Sequence, residues 1–194
     1  MKNKKVANSK ILPLHYQEYQ IHDLKEDKKI ALVIQIMSCV VVGFMVLITF
    51  LLDLPMKNEL SLILKIVLTV VFVFVYMVIH ELTHGVLIRI ISKEKPSYAI
   101  RFPYLITGSN HYYNKQSFLL ILLTPVILWG LIVLVLLIVL PDKLFMSSYV
   151  VFGLNFAGSS GDFVQAIMIK RLPDNTLIQD KGDKTTYFLP VIIS

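Results

Sequence analysis

Cysteine is almost absent from this 194-residue chain, where Cys39 stands alone. One thiol excludes an intramolecular disulfide and any metal site built from several cysteines. Charge is scarce as well. Asp, Glu, Lys and Arg make up 16% of the residues, against about 25% in soluble domains. Hydrophobic residues reach 56%, and mean hydropathy is +0.69. So little polar surface cannot coat a soluble core of this size, which excludes a cytosolic enzyme and a disordered chain. The net charge of +6 does not point to nucleic acid, because the Lys and Arg residues flank apolar runs, as they do in membrane proteins. Repeats and low-complexity tracts are missing too. The chain therefore reads as one membrane-embedded domain over 1–194, with the lipid bilayer as its first partner.

Long apolar runs are what the sequence has in abundance. Ile30 to Leu52 and Phe118 to Leu140 each hold 23 residues without a charge. Ile66 to Ile79 is aliphatic and aromatic, and continues past a polar interruption to Ile88. Tyr149 to Ile169 is apolar at both ends but contains Asn155, Gly158, Ser159, Ser160, Gly161 and Asp162. Each run reaches the roughly 20 residues that a spanning helix needs. The expected fold is an all-α integral membrane protein with four transmembrane helices, near 30–52, 66–88, 118–140 and 149–169. The Gly-Ser stretch in the last run is expected to let another backbone approach closely, and Pro125 to kink the third helix. The polar, Lys-rich first 29 residues do not have the form of a cleaved signal peptide.

Positive residues set an orientation. They gather in 1–29 (Lys2, Lys4, Lys5, Lys10, Lys25, Lys28, Lys29), in the central loop with its flanks (Arg89, Lys93, Lys95, Arg101, Lys115), and in 170–194 (Lys170, Arg171, Lys181, Lys184). The two other connections carry only Lys57, Lys65 and Lys143. Both tails, 1–29 and 170–194, and the central loop are thus expected in the cytoplasm. Within that loop, Ser97 to Phe102 and Tyr104 to Ile106 are rich in β-branched and aromatic residues, with a turn signal at Gly108-Ser109-Asn110. Either a short interfacial β-hairpin or an irregular loop with its tyrosines in the aromatic belt fits this composition.

His80-Glu81-Leu82-Thr83-His84 reads H-E-x-x-H within the second run. Residues four apart share a helical face, so both imidazoles can reach one zinc ion. Glu81 is then placed as the general base that takes a proton from water at the ion. With five His and five Glu in the chain, chance would produce this pattern only about 0.003 times. Two histidines and a carboxylate inside a span also mark a functional site by default, since burying them idle is costly.

Together with Gly85, Thr124-Pro125, Asn155 and Asp162, the motif resembles the bacterial "putative zincin peptidase" membrane proteins, which are related to the site-two-protease group of intramembrane zinc metalloproteases. That resemblance implies a multi-pass protein of a bacterial cell membrane. Site-two proteases carry Asn, Pro and Asp-Gly in a late helix. Here Asn155 and Asp162 are seven apart, with no Pro between them and Phe163 after the Asp.

A catalytic zinc needs a third protein ligand. Asp162 is the first candidate, with pairing to Arg89, Lys65 or Asn155 as its structural alternative, and His111 is the second. His15 and His22 read as solvated or interfacial residues, and Glu94 as part of a solvated charge cluster. Depth favours Asp162. At 1.5 Å per residue, His80 and His84 lie about 21 and 27 Å from the outer end near Ile66, and Asp162 lies about 20 Å from Tyr149 in a parallel helix. Its carboxyl is expected within about 3–5 Å of both imidazoles. Asn155 shares its face and serves either substrate binding or helix packing.

The expected activity is zinc-dependent hydrolysis of a peptide bond in a membrane or juxtamembrane substrate. The alternative is a metal-binding membrane protein without hydrolytic activity, such as a permease, sensor or scaffold, for which a base at Glu81 would be superfluous.

Overall fold

The computed structural model describes residues 6–23, 26–56, 59–101 and 104–191. Lys2, Lys4, Lys5, Lys25 and Lys57 of the charge pattern, and Phe102 of the central loop, lie outside them. In chain order the elements are β1 (Tyr16–Asp23), α1 (Lys28–Leu51), α2 (Leu62–Ser92), β2 (Ser97–Arg101), β3 (Tyr104–Gly108), β4 (Tyr113–Asn114), α3 (Lys115–Val139), α4 (Asp142–Gly158), α5 (Ser160–Arg171), β5 (Leu177–Asp180) and β6 (Lys184–Pro190).

Three of the expected spans are continuous helices, and α1, α2 and α3 are long and apolar enough to cross a membrane. Each begins at a side-chain cap. The Asp27 carboxylate accepts from the Ile30 N–H, the Ser61 hydroxyl from Leu64, and the Asn114 side chain from Ser117. These bonds satisfy backbone donors that a first turn leaves without partners. No residue of α1 is buried, and Phe44, Phe50 and Leu51 stand exposed on it. A helix apolar all round needs lipid or a large core.

The fourth expected span is not one helix. α4 and α5 meet at Ser159. Glycine and serine are weak helix formers, and here hydroxyls compete for the backbone. The Ala157 carbonyl accepts from Ser160 at 2.8 Å and from Ser38 of α1 at 2.7 Å. A Cβ on Gly158 or Gly161 would meet open space, so those two glycines do not seat another backbone.

The all-α expectation also needs correcting, because the chain carries two antiparallel sheets. One has four strands in the order β1-β6-β5-β4, with β1 and β6 paired from Tyr16↔Pro190 to Asp23↔Lys184. The segments before α1, before α3 and after α5 therefore meet at one end of the bundle. Tyr113, Ile178 and Tyr187 of this sheet pack with Phe118, Ile121 and Ile169 of the helices. The other sheet is the hairpin β2–β3, the first of the two readings of the central loop. Gly108 closes β3 rather than forming the turn, and lies directly against the backbone of Lys181 and Gly182 in the β5–β6 connection.

Candidate metal centre

The site is built on the second half of α2. His80 and His84 are 8% and 7% exposed, on one helical face, with ring centroids 5.0 Å apart. α5 brings Asp162 to them. His80 Nε2 lies 3.5 Å from Asp162 Oδ2, and His84 Nε2 lies 3.8 Å from Asp162 Oδ1. Among the described residues these three form a group whose ligand atoms all fall within 4.8 Å of one another.

Both Nε2 atoms face the carboxylate because both Nδ1 atoms are engaged elsewhere. His84 Nδ1 is 3.0 Å from the Ile121 carbonyl, which can only accept, so Nδ1 carries the proton. For His80 the direction is set three groups away. Asn155 is fully buried in α4 and donates from Nδ2 to the Val126 carbonyl at 2.9 Å. Its Oδ1 is left to accept the Tyr76 hydroxyl at 2.9 Å, and the Tyr76 oxygen then accepts from His80 Nδ1 at 2.9 Å. Each histidine is held in the tautomer that leaves Nε2 bare. Metal-binding histidines are oriented in this way, and ligands sharing one ion at about 2 Å lie 3–4 Å apart. The donor set and its spacing fit a zinc ion.

Glu81 projects from the next position of α2, where Thr107 of β3 donates to its carboxylate at 2.7 Å and to its backbone carbonyl at 3.1 Å. The hairpin rests on α2 through a second contact, the Tyr98 ring lying directly against Gly85, where a Cβ would push the ring aside. Behind the motif, Thr83 donates to the Ile79 carbonyl at 2.7 Å and accepts from Trp129 Nε1 at 2.9 Å.

The other candidates lie apart from this group. His111 is buried beside Tyr113, its Nδ1 without a hydrogen-bond partner, and burial holds its pKa below the usual histidine value. His22 faces Asp27 at 3.4 Å and packs edge-on to Tyr187. His15 is exposed, and Glu94 pairs with Lys10 at 2.9 Å. Asp162 faces the two imidazoles, and Asn155 bridges Tyr76 of α2 to the Val126 backbone of α3. Sequence reading missed Tyr76, Thr107 and the Ile121 carbonyl. Tyr76 lies one helical turn before His80, which was a usable signal.

A family model described as "Putative zincin peptidase" matches residues 73–177, more than half of the chain. The chain belongs to this family. The matched stretch holds the α2 motif, the hairpin, α3 and Asp162. No curated protein and no solved structure matches the chain.

Proposed function

We propose that this protein is a membrane-embedded zinc metallopeptidase that cleaves a membrane or juxtamembrane peptide, as the resemblance to site-two proteases implies. One observation carries the reading. Two imidazoles with bare Nε2 atoms converge on one carboxylate, beside Glu81, which stands outside the ligand cluster. Bound there, zinc would polarise the scissile carbonyl and acidify a water molecule. His80, His84 and Asp162 would hold the ion. Glu81 takes the proton of the attacking water and returns it to the leaving amine. Thr107 keeps the Glu81 carboxylate turned to one side of α2, which shortens the search for a productive geometry.

The membrane reading rests on α1, α2 and α3. The surplus of Lys and Arg assigns the sheet-bearing end of the bundle to the cytoplasm. With that orientation, cleavage would occur near the cytoplasmic leaflet.

The test compares membrane proteomes of cells carrying the native protein or Glu81→Gln. The amide keeps the shape of the side chain but accepts no proton, so turnover should fall about 10²–10⁴-fold. Substrates should accumulate uncleaved only with the variant. Identical cleavage in both cell types would remove the hydrolytic mechanism.

A further inference from the structure

We propose that Pro125 is a positioning residue of the metal site, freeing the Ile121 carbonyl to hold His84 with its Nε2 bare towards Asp162. This inference rests on the reading of His80, His84 and Asp162 as metal ligands. In an α-helix the carbonyl of residue i accepts from the N–H of residue i+4. The residue that would serve Ile121 is Pro125, which has no N–H and whose ring pushes that carbonyl away from the helix. α3 nevertheless runs unbroken from Lys115 to Val139 with Pro125 inside it.

An orphaned carbonyl within a span must find a donor, since lipid offers none. His84 Nδ1 is that donor, at 3.0 Å, and both Ile121 and Pro125 are buried. The bond is one-directional. A carbonyl accepts and cannot donate, so it fixes the proton on Nδ1 and leaves the Nε2 lone pair 3.8 Å from the Asp162 carboxylate. His80 reaches the same state by a different route, through Tyr76 and Asn155. A proline that would be a defect in most helices supplies, in this one, the acceptor that the second ligand needs.

The experiment uses the full chain in lipid nanodiscs with ¹⁵N-labelled histidine. Pro125→Ala restores an N–H that competes for the Ile121 carbonyl. An α-hydroxy acid at position 125 (lactate, giving a backbone ester) lacks both the N–H and the ring. In the metal-free native protein His84 should be in the Nδ1–H form. Pro125→Ala should shift it to a mixture of tautomers and weaken zinc binding about tenfold by chelator competition, the lower range for such supporting contacts. The ester variant should match the native protein in both readouts. Native tautomer and affinity in Pro125→Ala would overturn the proposal. So would an ester variant that behaves like Pro125→Ala, which would assign the effect to the ring. A native protein that binds no zinc would instead sink the metallopeptidase reading, with the tautomer measurement still judging the proline.

Discussion

His80 Nε2 and the carboxylate of Asp162 lie 3.5 Å apart, although one belongs to α2 and the other to α5, beyond the break at Ser159. The carboxylate side chain is only 20% exposed, and a bare charge in that setting is costly unless a cation or proton relieves it. The second imidazole approaches the same carboxylate from the next turn. Support comes from three neighbouring elements, with the Ile121 carbonyl from α3, Asn155 from α4 and Thr107 from the hairpin.

Tyr76→Phe removes the hydroxyl that accepts from His80 Nδ1 and donates to Asn155. The ring and its packing remain, so the variant should fold. Zinc affinity should fall about 10–100-fold, the range for supporting partners of metal-bound histidines. Chelator competition on purified protein reads it. Native affinity would mean that His80 is oriented by something other than this chain of bonds.

Gly108→Ala tests how the hairpin is held over Glu81. A Cβ at this position would run into the backbone of Lys181 and Gly182, and backbone cannot swing aside as a side chain tip can. The clash should cost about 1–3 kcal/mol, unseat β3 and carry Thr107 away from Glu81. A lower thermal midpoint and faster proteolysis within 97–108 are the expected readouts. An unchanged midpoint would show that the hairpin does not rest on the β5–β6 connection.

The motif and the three long spans were readable because each is local: a spacing of four on one helix, and runs of about 20 apolar residues. The four-stranded sheet was not. β1 and β6 pair from opposite ends of the chain, β4 is two residues long, and β1 shows no clean alternation of buried and exposed positions. Nothing local marks such strands. The break at Ser159 sat in a Gly-Ser run that was read as a place of close backbone approach, and the helix is interrupted there instead. Pro125 was visible as a kink-forming residue within the third span. The use of its freed carbonyl depends on His84 facing α3, a fact of packing rather than of sequence.

Asp180 gives the protein a pH dependence of defined sign. Burial, with the charges of Asp162 and Glu81 adding to it, pushes its carboxyl up to about 7 despite hydrogen bonds from the Gly182 N–H and the Thr185 hydroxyl. The native state thus keeps a proton that the unfolded chain has already released. Stability falls as pH rises from about 4 towards 7, and levels off above that. Asp180→Asn keeps an oxygen for both donors and removes the charge. Thermal melts of metal-free protein should show the variant more stable than native at pH 8, by on the order of a few kcal/mol, and equal to it at pH 4. A variant less stable than native at pH 8 would contradict the sign.

Reporter fusions read the orientation. β1, β4, β5 and β6 share one sheet, so tags before β1, between β3 and β4, and after β6 should all report one side, the cytoplasm on the proposed orientation. Tags between α1 and α2 or at Asp142 should report the other. An extracytoplasmic result for the hairpin loop would invert the arrangement and move cleavage to the opposite leaflet.

Metal content of purified full-length protein is the most direct measurement of the whole account. The native chain and Glu81→Gln should each carry about one zinc, as a site with three protein ligands requires. His84→Ala and Asp162→Ala should each lose it. Equal zinc in all four, or none in the native chain after zinc loading, would contradict a metal centre at His80, His84 and Asp162.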